Sequence, residues 1–292
     1  MNPLLLVGHG TKSAAGVAQF AELVAKVRRC RPDTAVEGGF LELSSPPIQD
    51  AVARLAQEAA VVDVVPLVLV AAGHSKGDIP AALEREALRH PGLSFRYGRP
   101  LGAHPLLLAA AEARIEAVLP RAAWGDTGVV LVGRGASDPD ANAEIAKTAR
   151  LLQEGRGLPA VETSFVSLAE PGVPAALDRV RRLGFGRVVV QPWFLFHGVL
   201  PDRIVEQSRR WAEQHHDVEV MSADVLGPCS HLAGVVLERW REIAEGDLRM
   251  NCDTCMYRVA LPGFESRLGA PQVPHDHPDD PAHTHRHSHA HG

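Results

Sequence analysis

The feature that most constrains the fold of this chain is an internal repeat with an offset of 125 residues. Moving the sequence by this offset brings Leu6-Val7-Gly8 onto Leu131-Val132-Gly133, and Leu101-Gly102 onto Leu226-Gly227. The same offset superposes three further pairs: Phe40 on Phe165, Leu43 on Leu168, and Pro46 on Pro171. A constant offset across glycine, proline and phenylalanine positions is hard to obtain by chance. The sequence therefore predicts one fold that is used twice.

Within each copy, short apolar runs alternate with amphipathic segments. In the first copy, strands are predicted by the apolar run that begins at Pro3 and stops at Gly8-His9-Gly10, and by the runs at 35–43 and 61–70; 94–100 predicts a fourth. The segments between them carry apolar residues at helical spacing, with serine or proline where helices begin. The order βαβαβα indicates an α/β fold with a parallel sheet covered by helices on both faces.

The repeat and the change of composition near its end define the organisation of the chain. We expect two similar, doubly wound parallel-sheet domains that face each other across a cleft. Residues 1–124 form the first half and 125–248 the second half, followed by a segment at 249–292 without a clear strand or helix pattern.

Composition narrows the classes of protein that the chain can belong to. The chain has 292 residues, of which 46% are hydrophobic and 22% charged, in the range of ordinary globular proteins. The net charge of −5 provides no basic field, so no nucleic-acid partner is expected. The longest apolar stretches, such as 61–73, are too short to span a bilayer, and the start lacks signal-peptide architecture. We therefore expect a cytoplasmic protein without a membrane partner.

Three polar residues of the first copy are candidates for chemistry. His9, Glu42 and His74 lie at or near the carboxyl ends of three predicted strands. Parallel strands bring these ends to one edge, where ligands bind in open α/β sheets. Their counterparts in the second copy are Arg134, Ser167 and, if Gly73 is matched to Gly198, Val199. Because a shared scaffold gives little reason to lose all three together, we infer one active centre, in the first half.

The types of these residues suggest metal chemistry. Two imidazoles suit a borderline divalent ion such as cobalt, nickel, iron or zinc, whereas calcium and magnesium prefer oxygen ligands. We therefore predict that His9 and His74 are catalytic metal ligands, with Glu42 as a third ligand or a proton acceptor. The structural alternative is that each histidine is a loop residue with its hydrogen bonds satisfied.

A set of ordered motifs carries a resemblance to a known family. GHGTK at 8–12, FLELSSP at 40–46, PLVLVAAGHSKGDIP at 66–80 and LGAHP at 101–105 resemble the sirohydrochlorin chelatase family, in particular its long, duplicated cobaltochelatases. The resemblance covers roughly residues 4–248. It implies a class II chelatase, which inserts a divalent metal into a tetrapyrrole without ATP.

The resemblance also implies roles for individual residues. His9 and His74 are expected to bind and deliver the metal, and Glu42 to assist with metal or protons. The family's substrate carries many carboxylates, which charged side chains and free backbone N–H groups at helix starts can bind. The residues predicted to bind it are Lys12, Ser13, Ser75, Lys76 and His104. For the first four the alternative is a solvated loop residue, and for His104 it is a structural or capping role.

Two further features of the sequence leave alternatives open. Trp193, Phe194 and Phe196 are either an apolar wall against a flat macrocycle or plain core residues. Cys252 and Cys255 form a CxxC pair that supplies only two thiolates, so a zinc or iron–sulfur site needs further ligands. Long members of the family carry an iron–sulfur centre, which the resemblance extends to this pair; a redox dithiol or two ordinary reduced cysteines is the alternative.

The end of the chain is rich in histidine. Seven of the fifteen histidines alternate with other residues at the end of the sequence: His275, His277, His283, His285, His287, His289 and His291. Tracts of this kind are typical of metal-binding segments. We predict that the tract stores cobalt or nickel, or feeds it to the cleft.

Together, these observations predict a sirohydrochlorin cobaltochelatase of corrinoid biosynthesis, a lyase that acts as a monomer or homodimer with Co²⁺ as its metal substrate. The alternative within the class is a ferrochelatase that inserts Fe²⁺ for sirohaem synthesis. An alternative from another class is a metallochaperone that stores cobalt or nickel (Co²⁺ or Ni²⁺) and catalyses nothing. A histidine phosphatase is disfavoured because Gly8 stands where that class requires an arginine before its histidine.

Overall fold

The computed structural model describes residues 1–246, 257 and 265–270, and for His74 only the backbone. It contains two parallel four-stranded sheets, one in each half. The first has the order β2-β1-β3-β4, with β1 (Leu4–Gly8), β2 (Val36–Phe40), β3 (Val61–Pro66) and β4 (Ser94–Tyr97). The second has the order β6-β5-β7-β8, with β5 (Gly128–Gly133), β6 (Ala160–Phe165), β7 (Arg187–Pro192) and β8 (Glu219–Ser222).

An α-helix follows each strand in both halves. In the first half they are α1 (Ala14–Cys30), α2 (Ile48–Leu55), α3 (Ile79–Arg89) and α4 (Pro105–Val118). In the second half they are α5 (Pro139–Gln153), α6 (Val173–Arg182), α7 (Val199–Ala212) and α8 (Ser230–Glu245). The predicted α/β fold with two duplicated parallel sheets is confirmed. All residues of the central strands β1 and β5 are buried, because helices cover both faces of each sheet.

The third strand of each half ends earlier than the apolar run predicts. The run at 61–70 forms a strand only to Pro66, and β7 likewise ends at Pro192. Proline has no N–H to donate to a ladder, so regular pairing stops near it. The remainder of each run continues as an irregular segment along the edge where the strands end.

The pairing register of the third strand in each half changes the offset of the repeat at that point. Pro66 pairs with Val7 in the first sheet, whereas Pro192 pairs with Val132 in the second. The offset is therefore 126 residues along this strand, so one residue has been inserted before β7. Carried forward, this register matches His74 to Leu200 and not to Val199. The conclusion that His74 has no histidine counterpart is unchanged.

The last helix of each half packs against the sheet of the other half. Helix α8 lies against β3 and α1, and α4 lies against β7 and α5. Trp240 on α8 is fully buried, and its Nε1 donates to Oδ2 of the buried Asp63 in β3 at 3.0 Å. Arg239 donates to the carbonyl oxygens of Pro100 and Leu101 in the first half.

This exchange of helices joins the two halves through one core. The largest hydrophobic cluster contains Leu4 and Leu6 of β1 together with Val129 and Leu131 of β5. Each sheet also has a smaller hydrophobic cluster of its own on its outer face. The interior between the sheets is therefore continuous, which fixes how the two carboxyl edges lie relative to each other. None of the helices in the described ranges is long and apolar enough to cross a membrane.

Candidate active site

His9 and Glu42 meet because the pairing of β1 and β2 continues beyond both strands. The N–H of Leu41 donates to the carbonyl of Gly8 at 2.9 Å, and the N–H of Glu42 donates to the carbonyl of His9 at 3.0 Å. This register places the two side chains together, with His9 Nδ1 3.2 Å from Glu42 Oε1. Both side chains are partly exposed, at 31% and 24%.

The turn after His9 requires glycine for steric reasons. Gly10 has φ +114°, and a Cβ built on it would lie 1.8 Å from the carbonyl oxygen of Glu42. The second half has the same geometry, because a Cβ on Gly135 would lie 1.8 Å from the carbonyl oxygen of Ser167. The backbone of the site is thus preserved in both copies, and only the polar side chains differ.

A strained turn follows Glu42. Its carbonyl accepts a hydrogen bond from the N–H of Ser44 at 2.7 Å, and the residue between them, Leu43, has φ +63°. This is the pattern of the γ-turn with a positive central φ, which is rare and costs about 1–3 kcal/mol. Leu168 has the same conformation in the second half. The turn projects the 53%-exposed Leu43 side chain into the lining of a cleft.

That cleft has a volume of about 470 Å³ and is lined by residues of both halves. Its walls are mainly apolar, and the aromatic residues among them are Phe20, Phe40, Trp193, Phe194 and Phe196. Trp193 is only 2% exposed and belongs to the core, whereas Phe194 and Phe196 are half-buried. The two interpretations of this aromatic cluster are therefore compatible, because core side chains also form the cleft wall.

The ionisable side chains that line the cleft are basic. Among the described lining residues these are His9, Lys12, Arg134 and His197, and none is aspartate or glutamate. Within the described ranges, neither Lys12 nor Arg134 makes an ion pair. An apolar cleft with basic groups and no carboxylates is suited to a ligand with an apolar body and anionic substituents.

The two serines predicted to bind substrate have local structural contacts. Ser13 is the N-cap of α1, and its Oγ accepts from the N–H of Gly16 at 3.3 Å. Ser75 is 5% exposed, and its Oγ both donates to the carbonyl and accepts from the N–H of Ala72. Ser75 also lines the cleft. Substrate binding by these two serines stays a prediction.

Lys76 differs from the expectation that it binds substrate. Its Nζ lies 2.6 Å from Asp138 Oδ2 and 3.3 Å from Asp140 Oδ2, which belong to the second half. All three side chains are at least nine-tenths buried. The ammonium group is therefore used in an ion pair between the halves and is not among the residues that line the cleft.

His104 also differs from the expectation. It is the N-cap of α4, where its Nδ1 accepts from the N–H of Leu106 at 3.1 Å. Its Nε2 lies 3.1 Å from Glu238 Oε2 on α8, and the side chain is 10% exposed. Both ring nitrogens thus have protein partners outside the cleft lining, which supports the capping alternative.

The site of His74 is described through its backbone only. His74 begins a single π-helical turn, His74–Asp78, before α3, and the flanking Ala72 and Ser75 line the cleft. Within the described residues no group of three His, Cys, Asp or Glu side chains is arranged to hold a metal ion. Cys252, Cys255 and the histidine tract lie outside the described residues.

Two cleft residues were missed by the analysis of the sequence. Arg134 was interpreted only as a sign that the second copy lacks an active centre, yet it lines the same cleft as His9. His197 follows β7; its N–H donates to Gln19 Oε1 at 2.8 Å, and its Nε2 lies 3.2 Å from Asp224 Oδ1. The internal repeat could have indicated Arg134, because equivalent loops of two domains that face each other border the same cleft.

Comparison with known proteins identifies the family. The model of the CbiX family matches residues 3–118 and, a second time, residues 128–243. The chain belongs to the CbiX family. The expected family, the duplicated fold and the enzyme class, a metal chelatase acting as a lyase, are confirmed by this match and by the relatives described next.

This CbiX-family chain resembles chelatases that are named for two different metals. It is 36% identical over 266 residues to the sirohydrochlorin cobaltochelatase of Priestia megaterium, covering 89% of this chain and 86% of that protein. It is 33% identical over 212 residues to the sirohydrochlorin ferrochelatase of the same organism, covering 71% and 78%. The crystal structure of the sirohydrochlorin chelatase SirB from Bacillus subtilis subspecies spizizenii in complex with cobalt superposes with a TM-score of 0.70, at 28% identity, over 84% of this chain and 97% of SirB.

Proposed function

We propose that this protein inserts Co²⁺ into sirohydrochlorin without ATP, as a step of corrinoid biosynthesis. The observation that supports this most directly is the composition of the cleft. Its apolar walls suit the body of a tetrapyrrole, and its basic residues suit the carboxylates, while no described lining residue is acidic. His9 lies in this cleft, where a metal ion could be delivered to the macrocycle.

The contact between His9 and Glu42 supports different roles for the two residues. His9 lines the cleft, whereas Glu42 contacts its Nδ1 from outside the lining. A carboxylate at Nδ1 favours the tautomer with its proton there, which leaves the Nε2 lone pair for a metal ion. We therefore favour Glu42 as a positioning residue over Glu42 as a third ligand, with His74 as the second proposed ligand.

Insertion also requires that two pyrrole protons leave the macrocycle. Once the metal ion has passed to the macrocycle, the released Nε2 of His9 can accept one of these protons, and the adjacent Glu42 carboxylate offsets the positive charge of the imidazolium. A proton acceptor of this kind typically contributes about 10²- to 10⁴-fold in rate. Partial exposure of both side chains gives the proton a route to solvent.

Cobalt is the proposed metal, and iron is the second candidate. The higher identity to a cobaltochelatase, and the histidine tract at the end of the chain, favour cobalt. The ferrochelatase relative at 33% identity favours iron, and an imidazole with a nearby carboxylate accepts either ion. A metallochaperone without catalysis is disfavoured, because the relatives of this chain are chelatases.

The test is anaerobic absorbance spectroscopy of sirohydrochlorin with the purified protein, supplied with Co²⁺ or Fe²⁺ in separate reactions. We expect faster spectral conversion with Co²⁺, lost in His9→Ala and in His74→Ala. Ser167→Ala, at the second-half counterpart of Glu42, is the matched control and should convert at the wild-type rate.

Each alternative gives a different result in this experiment. Faster conversion with Fe²⁺ would indicate a ferrochelatase. Tight metal binding without conversion of sirohydrochlorin by either metal would contradict the proposed substrate. A His9→Ala variant that retains full activity would contradict the proposed active centre.

A further inference from the structure

We propose that Arg134, the second-half counterpart of His9, binds a peripheral carboxylate of the tetrapyrrole. This inference rests on the proposed function, because it concerns how the same substrate is held. The second copy would then contribute to the active site through a residue that replaced the histidine. The substitution converts a metal-binding position into an anion-binding position.

The position of Arg134 follows from the fold of the repeat. Arg134 follows β5 as His9 follows β1, and its carbonyl accepts from the N–H of Ser167 at 3.0 Å. The corresponding bond in the first half joins His9 and Glu42. Both residues line the same cleft, so the two equivalent loops present an imidazole from one half and a guanidinium from the other.

The charge of Arg134 is not neutralised by the protein within the described ranges. Its side chain is exposed and makes no ion pair there. The next acidic residues in the sequence, Asp138 and Asp140, are both paired with the buried Lys76. The first half thus supplies the cation that occupies these carboxylates, and the guanidinium is left for a ligand.

The loop that carries Arg134 is held by other contacts. Asn142 accepts from the N–H of Ala136 at 2.9 Å through Oδ1, and donates to its carbonyl at 2.8 Å through Nδ2. Gly135 supplies the required positive φ. Since these contacts do not involve the Arg134 side chain, its replacement should leave the fold intact.

The chemistry of arginine matches the proposed role. A guanidinium is always charged and binds a carboxylate through two parallel N–H donors, which fixes orientation as well as adding affinity. Lys12 lies on the first-half side of the cleft and likewise makes no ion pair with the part of the chain that the structure describes. Carboxylate contacts on both sides would hold the macrocycle so that its centre faces His9.

The experiment measures binding of uroporphyrin, a polycarboxylated porphyrin, to the metal-free full-length protein by fluorescence titration. Arg134→Gln should raise the Kd by about 10-fold at low salt, and Arg134→Lys by less because it keeps the charge. The matched control is Arg150→Gln, which removes the same charge from a 70%-exposed arginine on α5 that is paired with Glu154. We expect its Kd to equal that of the wild type.

Two further measurements separate recognition of carboxylates from a structural effect. Added salt should weaken wild-type binding more than binding by Arg134→Gln, because that variant has lost one ion pair. If sirohydrochlorin is converted, Arg134→Gln should raise KM with little change in kcat.

The inference would be overturned if Arg134→Gln bound uroporphyrin like the wild type, if Arg150→Gln lost as much affinity, or if the wild type did not bind uroporphyrin. The titration needs no metal and no turnover. Failure of the proposed chelatase activity would therefore appear only in the conversion assay, and the two failures remain distinguishable.

Discussion

At the scale of single residues, the proposed active centre contains a side-chain contact between His9 Nδ1 and Glu42 Oε1 at 3.2 Å. The scaffold beneath it is repeated in the second half, where Ser167 takes the place of Glu42. The repeat thus provides an internal control for each substitution. A change that acts through the scaffold should have similar effects in both copies, whereas a change that acts through metal binding should matter only in the first.

We expect Glu42→Gln to weaken metal binding by about 10- to 100-fold, as is typical when the partner of a ligating histidine is altered. The amide keeps the size of the side chain but not its charge, so the imidazole of His9 becomes a poorer ligand. Isothermal titration with Co²⁺ measures the effect. An unchanged affinity in Glu42→Gln, or an equal loss in Ser167→Ala, would contradict the positioning role.

The glycine after His9 provides a second comparison. Gly10→Ala should lower the free energy of unfolding by about 2–4 kcal/mol, because its Cβ would overlap the carbonyl oxygen of Glu42 and φ is positive. Gly135→Ala should destabilise the protein by a similar amount, since it meets Ser167 in the same way. Thermal or urea unfolding measures both values. A tolerated alanine at either position would show that the turn relaxes.

At the scale of elements, the exchange of α4 and α8 decides how the two sheets are joined. Helix α8 reaches β3 of the first half, where Trp240 donates to Asp63. Asp63 is fully buried and also accepts two hydrogen bonds from Arg96 of β4. A buried carboxylate is stable only when its oxygen atoms are hydrogen-bonded, so this cluster links helix and sheet strongly.

We expect Trp240→Phe to lower the free energy of unfolding by about 1–3 kcal/mol. The substitution keeps an aromatic ring in the core but removes one donor to the buried Asp63 carboxylate. Chemical denaturation monitored by circular dichroism gives the value. Trp211→Phe is a suitable comparison, because the Nε1 of Trp211 donates to the more exposed Asp178 and its loss should cost less.

At the scale of the whole molecule, a cluster of charged side chains lies at the interface between the two halves. Glu242 on α8 accepts from Arg99 of the first half at 2.9 and 2.6 Å and from Arg239 at 2.7 Å. Burial alone would raise the pKa of Glu242, but the hydrogen bonds and charges of the two arginines outweigh it and lower this pKa below its usual value of 4.5. The ionised form is therefore favoured in the folded state.

The direction of this pKa shift fixes the sign of the pH dependence. A lowered carboxyl pKa contributes stability that is present above pH 4.5 and is lost as the pH falls through the folded-state pKa. We expect Glu242→Gln to cost about 2 kcal/mol at pH 7, with the difference from wild type shrinking below pH 4.5. Unfolding curves between pH 7 and pH 3 test this. A constant difference across that range would contradict the assignment.

The histidine tract at the end of the chain is expected to affect metal supply and not catalysis. Removal of residues 271–292 should leave the turnover rate unchanged at saturating Co²⁺ and lower it at limiting Co²⁺, because the tract is proposed to supply metal and not to catalyse. Initial rates over a range of Co²⁺ concentrations distinguish the two cases. Loss of all activity at saturating Co²⁺ would refute this role.

Much of the fold and part of the site could be predicted because the signals are local or periodic. The apolar runs and the 125-residue repeat predict two parallel sheets, and the carboxyl ends of β1 and β2 place His9 next to Glu42. The role of His74, the CxxC pair, the oligomeric state and the cytoplasmic location stay predictions. They depend on side chains and surroundings outside the described structure.

The sequence by itself determined the duplicated α/β fold and the restriction of the His9–Glu42 pair to one copy, because strand periodicity and register act over short distances. Only the tertiary structure decided the exchange of α4 and α8, the pairing of Lys76 with Asp138, and the presence of Arg134 in the cleft. These features arise from packing between the halves. A cation near a helix start can meet either a substrate or a neighbouring carboxylate, and only the arrangement of both halves selects one of them.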